Sequence, residues 1–421
     1  MASKATIEKT PSPKQAGSKR SKLNLRFILS EIDLTFFGLV ILLGAFGLLM
    51  MFSASFASSR SEHNGDSFYI IKRQALCFCI GMVAMFVASF LDYNFFFNTK
   101  IAYIFFGVSL VLCIYTAFRG IDVAGAKRWI TIPKVGVTFQ PSEMLKIAFI
   151  IIFAYILSVN FQKFEKRPYY IYIPFYITFG LVFGVLMLQR HMSAVMLFTI
   201  IGISMLFASG MSRKRFWQFM AVSGTLGLIA LVILFVIKGG GKFSYILTRY
   251  QAWKDPMADT ADTTHQTYES LLAIGSGGWF GLGFGESRQK YLYLPESQND
   301  FIFAVICEEL GFAGGLVVVL LFVLFIIKGF QIATSARDRF GMLVGTGITI
   351  QIGVQALLNI MVATNGFPNT GVALPFFSAG GTAIILQMFE MGIMLSISRQ
   401  TLKKRIKKKK IETKPAESAT V

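Results

Sequence analysis

The sequence predicts an all-α polytopic membrane protein with ten transmembrane helices and one large extracytoplasmic loop between helices 7 and 8. Of its 421 residues, 54% are hydrophobic and only 15% are charged, and the mean hydropathy is +0.60. The apolar residues come in blocks close to the roughly 20 residues that cross a bilayer. The predicted spans are 34–56, 75–91, 101–118, 141–157, 169–188, 192–210, 217–237, 301–327, 341–363 and 377–397.

Both ends of the chain are polar and basic, and this sets the predicted orientation. Residues 1–33 are typical of a disordered basic tail, and residues 399–421 are a second basic tail, on either side of a membrane domain at 34–398. If the first tail lies inside, the inner segments hold most of the 41 Lys and Arg residues. The positive-inside rule therefore predicts that both termini are cytoplasmic. The basic run 403–410 would attract anionic lipid headgroups, so nucleic acid is not expected as a partner.

Cysteine and histidine placement gives no sign of a metal or disulfide framework. All four cysteines fall in predicted spans, and the three histidines are spread along the chain. Neither pattern has the spacing of a zinc site or of paired cysteines in an aqueous loop.

The fourth span begins with a cluster of polar residues. Pro141 suits the first turn of a helix, and Gln140 or Ser142 could satisfy its free N–H groups. Glu143 and Lys146 are three residues apart, share a helix face and are predicted to pair. Such a pair near the end of a span should face the bundle interior or a water-filled cavity. It is either a salt bridge that starts a helix or part of a binding site.

A second group of cations precedes this span. Lys127 and Arg128, together with Lys146, would form a cationic patch for an anionic substrate, and Trp129 suits the level of the lipid headgroups. In the turn between spans five and six, His191 could titrate near neutral pH, although a lone histidine in a turn is more often structural.

The segment 238–300 is the predicted large outer loop and a natural place for function. It carries Arg249, Lys290 and Glu296, and its glycine-rich run 275–285 is flexible backbone with a candidate pyrophosphate contact.

At the end of this loop a polar run stops at Asp300, and an apolar helix begins at Phe301. Asp300 is either the N-cap of that helix or a catalytic carboxylate at the boundary between water and lipid. Glu308 and Glu309 follow two turns further on. In the last span, Glu390 is an intramembrane acid without an obvious partner in the sequence, and it could pair with a Lys or Arg from another helix.

Four stretches resemble, in order and spacing, the FtsW/RodA/SpoVE (SEDS) family, and nearer to its division type than to its elongation type. They are Lys127–Ile130 with Gln140–Lys146, Gly281–Lys290, Leu294–Gly311, and Leu374–Thr382. Two positions depart from the family pattern. Arg190-His191 stands where many members have Pro-Asp or Pro-His, and Ala379 stands where an aromatic residue is usual.

The resemblance implies a peptidoglycan glycosyltransferase that polymerises lipid II on the outer face of a bacterial cytoplasmic membrane, with a class B penicillin-binding protein and the division machinery. Asp300 matches the family's essential outer carboxylate and is the candidate base. The candidate contacts for the departing pyrophosphate are Lys127, Arg128, Lys146, Arg249 and Lys290. No cofactor is required by the sequence, although Mg²⁺ or Mn²⁺ could share this work beside Glu296 or Glu143.

Two other functions compete with this interpretation. A lipid II flippase would use the same cationic cavity without a base, and should place its key charges near the bilayer midplane. A non-catalytic division scaffold would tolerate changes of the outer charges while its helices still pack.

Overall fold

The computed structural model describes residues 32–123, 126–132, 137–164, 167, 169–238, 250–251, 253–258 and 264–412. Its helices are α1 (Leu34–Glu62), α2 (Tyr69–Phe90), α3 (Thr99–Arg119), α4 (Pro141–Val159), α5 (Tyr169–Leu188), α6 (Met192–Ala208), α7 (Arg213–Lys238), α8 (His265–Ser276), α9 (Ile302–Thr334), α10 (Arg339–Ala363) and α11 (Gly381–Glu412). A 3₁₀ turn at Tyr93–Phe97 and a one-turn helix at Phe161–Phe164 lie between them.

Every predicted span overlaps a helix, and the all-α membrane architecture is confirmed. Within the described residues, seven helices are long and apolar enough to cross a membrane: α1, α2, α3, α4, α9, α10 and the Gly381–Leu402 part of α11. Two shorter apolar helices accompany them, Tyr172–Leu188 and Met192–Ala208. The number of ten spans stays a prediction. Boundaries shift by several residues, since α2 begins at Tyr69 and α11 at Gly381.

The centre of the bundle is built by α4 and α10. The apolar windows of these two helices are 72% and 78% buried, whereas those of α2 and α3 are 22% and 28% buried. The peripheral helices therefore present most of their apolar surface outward, as helices in lipid do. Polar side chains on α4 and α10 are consequently enclosed by protein, and they belong to the site described below.

A small antiparallel sheet replaces the loop expected before α4. Its strands are β1 (Ile121–Val123), β2 (Ala126–Ile132) and β3 (Val137–Phe139), in the order β1-β2-β3. We call the end of the bundle that carries this sheet, α8 and Asp300 the outer end. The pairing of β1 with β2 is irregular between Lys127 and Trp129, which matters because the predicted cations Lys127 and Arg128 lie there.

The helix after Asp300 is not continuous. Gly311 has φ 69° and ψ −167° inside α9, so the helical hydrogen-bond ladder is interrupted there. A backbone break at membrane depth is tolerated only where other parts of the protein supply partners. Here the turn that follows α8 supplies them.

Candidate active site

Asp300 lies just outside α9. The helix begins at Ile302, and Phe301 takes the N-cap position without a side-chain capping bond. Of the two interpretations of Asp300, the N-cap is therefore not the one that the helix boundary supports.

The backbone of the segment that ends at Asp300 is held by three hydrogen bonds to three consecutive carbonyl oxygens. They are Ala379 N to Gln298 O (2.9 Å), Ser378 Oγ to Asn299 O (2.6 Å) and Asn359 Nδ2 to Asp300 O (2.7 Å). A side chain on a segment anchored in this way has a fixed origin, which is what precise placement of a reacting group requires.

The carboxylate of Asp300 is half-buried and lies against the loop between α10 and α11. A Cβ atom built on Gly371 would stand 3.2 Å from Asp300 Oδ2. Gly371 also has φ 64°, a conformation that favours glycine. This loop therefore brings bare backbone up to the carboxylate.

The α10 helix links Asp300 to Lys146. Asn359 holds Asp300 O and also donates to Val372 O at 2.8 Å. One turn inward, Gln355 accepts from Lys146 Nζ at 3.1 Å and donates to Ala373 O. Residues four apart on a helix are separated by about 6 Å along its axis. The candidate base and the Lys146 ammonium thus belong to one neighbourhood.

The predicted pair of Glu143 and Lys146 is confirmed. Lys146 Nζ lies 2.8 Å from Glu143 Oε2, and the two side chains are only 4% and 13% exposed. Pro141 stands in the first turn of α4, as predicted. The capping prediction for the side chains was wrong, since Gln140 occupies the N-cap without a side-chain bond. Among the described residues, no hydrogen-bond partner is found for the buried Ser142 Oγ.

Arg128 and His191 complete this side of the site. Arg128 Nη2 donates to Arg190 O at 2.7 Å. Burial, and then the charges of Arg128 and Lys146, lower the pKa of His191 to about 3. The expectation that His191 titrates near neutral pH was therefore wrong, and its imidazole is neutral at pH 7.

A bulge interrupts the predicted cationic patch at Arg128. Trp129 pairs in register with Ile121 of β1, and Lys127 pairs with Asp122, so Arg128 is the extra residue between them. Arg128 reaches the turn that contains His191. The geometry supports Arg128 and Lys146 as one cluster.

Lys290 is turned into the protein. Its ammonium lies 2.9 Å from Glu309 Oε1 and 3.0 Å from Ser53 Oγ, and it also donates to Gly285 O. The side chains of Lys290 and Glu309 are 3% and 0% exposed. This is an internal ion pair, which speaks against a direct pyrophosphate contact by Lys290.

Glu308, the neighbour of Glu309 in the chain, holds the same loop. It accepts from Ser287 Oγ at 2.5 Å and from Arg288 N at 2.9 Å. The two acids that the sequence placed inside the helix therefore anchor the loop that leads to Asp300.

Glu296 and Arg249 are the predicted site residues that remain. Glu296 is exposed, has φ 56° and accepts from Asn299 Nδ2. Arg249 lies outside the described residues. No group of three or more His, Cys, Asp or Glu side chains suited to a metal occurs among the residues that the structure describes. Glu143, proposed beside a cation, is already paired with Lys146.

Glu390 has an amide rather than a cation as its partner. Gln351 Nε2 donates to Glu390 Oε1 at 2.7 Å, and among the described residues no salt bridge joins Glu390 to a Lys or Arg. Gln351 stands one turn inward from Gln355, so α10 carries a row of buried amides at Gln351, Gln355 and Asn359. Sequence reasoning missed this row, although polar residues four apart in an apolar helix are a readable signal.

The fold and the site define a multi-pass membrane protein with a carboxylate at the outer end of the bundle and a buried ammonium one helical turn inward. The family model for the cell cycle proteins FtsW, RodA and SpoVE matches residues 33–403. The chain belongs to this FtsW/RodA/SpoVE family.

Two curated relatives illustrate the similarity. A probable peptidoglycan glycosyltransferase FtsW of Geobacter sp. (strain M18) is 34% identical over 366 residues, covering 87% of this chain and 96% of its own. Stage V sporulation protein E of Bacillus subtilis (strain 168) is 34% identical over 374 residues, with coverages of 87% and 97%.

Solved structures share the fold. One, described as "Structural coordination of polymerization and crosslinking by a peptidoglycan synthase complex", superposes with a TM-score of 0.70 at 23% identity and covers 88% of this chain and 98% of that chain. The rod shape determining protein RodA of Thermus thermophilus gives 0.62 at 24% identity, with coverages of 88% and 97%.

Proposed function

We propose that this protein is a peptidoglycan glycosyltransferase that polymerises lipid II on the outer face of the cytoplasmic membrane during cell division or sporulation. The names of its curated relatives support the activity, and the peptidoglycan synthase complex that shares its fold supports a penicillin-binding protein as partner. The observation that carries the proposal is that Asn359 and Gln355, one turn apart on α10, bind Asp300 O and the Lys146 ammonium respectively.

In the proposed reaction, Asp300 accepts the proton of the acceptor sugar hydroxyl as its oxygen attacks the anomeric carbon of the donor. The new carbon–oxygen bond forms as the bond from that carbon to the pyrophosphate oxygen breaks. The pyrophosphate leaves with the electron pair and needs positive charge nearby.

Arg128 and Lys146 supply that positive charge. His191 beside them is neutral and adds none. The Glu143 carboxylate offsets part of the Lys146 charge but also fixes the ammonium in place. The cluster of Arg128, Lys146 and Glu143 therefore keeps a net positive charge with little reorganisation on reaction.

The test compares the native protein with Asp300→Asn, each reconstituted with its cognate penicillin-binding protein and supplied with lipid II. We expect glycan strands from the native complex and a loss of at least about 10²-fold in the variant, because asparagine cannot accept the proton. The control is Glu62→Gln at the end of α1, an exposed carboxylate without a role in the proposed site, expected to leave the rate nearly unchanged. Equal polymerisation by native protein and the Asp300 variant would reject the role of Asp300.

The same assay addresses a divalent cation and the competing functions. Mg²⁺ or Mn²⁺ sharing the pyrophosphate charge predicts loss of activity with a chelator and recovery on adding either ion. The row of buried amides that reaches inward to Glu390 favours a lipid II flippase as the second candidate. That candidate predicts transfer of lipid II across vesicles without glycan synthesis. A scaffold predicts neither activity.

The orientation forms part of the proposal. With both termini in the cytoplasm, Asp300 stands on the outer face, where lipid II is polymerised. The test is a fusion of the C-terminus to a phosphatase that is active only outside the cytoplasm. Because the C-terminus is expected inside, the fused phosphatase should be inactive.

A further inference from the structure

The turn after α8 carries the two most exposed large apolar side chains of the described part of the chain. Trp279 is 72% exposed and Phe280 is 85% exposed, and the exposed Leu282 and Phe284 follow. A contiguous apolar surface of this kind marks a site of interaction. We call residues 278–285 the interfacial turn.

Backbone hydrogen bonds fix the interfacial turn against the break in α9. They are Phe312 N to Gly278 O (2.8 Å), Ala313 N to Trp279 O (3.1 Å), Leu282 N to Glu308 O (3.0 Å) and Gly283 N to Glu309 O (3.0 Å). The approach is so close that a Cβ on Gly281 would lie 2.1 Å from Glu309 O. The depth of Trp279 and Phe280 along α9 is therefore set by the fold.

The pattern of exposed and buried residues along α9 shows where the interfacial turn lies relative to the hydrocarbon of the bilayer. Every residue from Ile302 to Glu309 is buried, and the outward apolar stripe begins at Phe312 and continues through Ile327 to Phe330. Lys328 lies in the last turn of the stripe. A charged residue at the end of an apolar stripe marks the limit of the hydrocarbon there.

The neighbouring helix α1 gives the same level independently. Ser53 donates to Glu309 at 2.5 Å, so these two residues are at equal depth. Leu49, one turn or about 6 Å further in, is the last exposed leucine of α1 in the outward direction. On α9, one turn further in from Glu309 is Ala313, which is next to Phe312. The lipid-facing surfaces of both helices thus end where the interfacial turn begins.

The Trp279 ring continues the stripe of α9. It meets the Phe312 ring edge-on, with centroids 5.3 Å apart and an interplanar angle of 77°. Tryptophan is enriched at the level of lipid headgroups because its ring is apolar while its N–H can still donate to polar groups.

We propose that the interfacial turn is a membrane anchor, in which Trp279 and Phe280 occupy the boundary between headgroups and acyl chains of the outer leaflet. The occupant is lipid, because the exposed surface is continuous with the lipid-facing stripe of α9. The chain from this turn to Asp300 is tied down by Glu308 and Glu309. The anchor therefore sets the height of Asp300 above the bilayer. This role does not depend on the chemistry at Asp300.

Tryptophan emission in vesicles tests the anchor. The full-length protein and Trp279→Phe are reconstituted in phosphatidylcholine brominated near the headgroup end or near the methyl end of the acyl chains. The difference between the emission of the native protein and that of Trp279→Phe is the Trp279 signal. We expect headgroup-end bromines to quench it about twofold more strongly than methyl-end bromines. Trp217→Phe, which removes an exposed tryptophan of α7, is the matched control and should leave that signal unchanged.

Three results would overturn the proposal. If aqueous iodide quenches the Trp279 signal and neither brominated phosphatidylcholine does, the interfacial turn lies in water. Stronger quenching by methyl-end bromines would place it in the bilayer interior. Resistance to all quenchers would mean that protein, for example a second copy of the chain, covers it. Phe280→Trp in the native chain provides a second probe, and its added emission should report the same depth as Trp279.

Discussion

Two buried lysine–glutamate pairs lie in the outer half of the bundle, and they are built differently. Lys146 pairs with Glu143 on its own helix and turns its remaining hydrogen-bonding capacity to Gln355 on α10. Lys290 pairs with Glu309 across a loop. The first pair stands beside Arg128, His191 and the segment of Asp300. Around the second, Ser53 and Gly285 O also contact the Lys290 ammonium, and Glu309 Oε1 also accepts from Ser53, whereas no hydrogen-bond partner is found for Glu309 Oε2 among the described residues.

The difference teaches how a buried ion pair divides between function and stability. Removing one partner of an enclosed pair leaves an uncompensated charge, and this cost is structural wherever the pair is found. Only a charge that faces the reacting groups also changes the transition state. The two lysines should therefore separate when stability and rate are measured together.

The largest expected effect is that of Lys290→Met on stability. The substitution leaves Glu309 buried without a cation, which should cost about 3–5 kcal/mol of the free energy of unfolding. Thermal unfolding in detergent is the measurement. Lys72→Met, which breaks the exposed pair with Asp66, is the control and should cost less than about 1 kcal/mol.

A second variant protects this prediction from a trivial loss of folding. Adding Glu309→Gln to Lys290→Met removes the uncompensated charge and should recover most of the lost stability. If the double variant is as unstable as the single one, the pair is not the reason that Lys290 is needed.

Lys146→Met is expected to act mainly on the rate. Loss of one positive group at the departing pyrophosphate should lower kcat/KM by about 10²–10³-fold, measured per folded protein in the lipid II assay. Glu143→Gln combined with Lys146→Met should recover stability, since no unpaired carboxylate remains, but should not recover activity. Native polymerisation by that double variant would show that this pair, too, is only structural.

The contrast also explains what the sequence could predict. Glu143 and Lys146 are three residues apart in one helix, so their pairing follows from helix geometry. Lys290 and Glu309 are separated by a loop and by the first turns of α9, so no local rule joins them. Asp300 could be singled out by its place at the end of a polar run. Its supports, Asn359 and Ser378, come from a distant helix and loop, and only the tertiary fold brings them there.

The smallest expected effect concerns His191, the neighbour of Lys146 that has no counterpart beside Lys290. Its pKa is about 3 in the folded protein and about 6.5 in the unfolded chain. Between these values the unfolded state binds more protons than the folded state, so stability falls as the pH is lowered from 6.5 toward 3.

At pH 5.5, one unit below the unfolded pKa, this loss amounts to about 1.4 kcal/mol. His191→Gln removes the titrating group, so the variant should lose less thermal stability between pH 7.5 and pH 5.5 than the native protein. An unchanged acid-side loss in the His191 variant would mean that another group carries it. The neutral imidazole would then no longer account for the charge balance around Lys146.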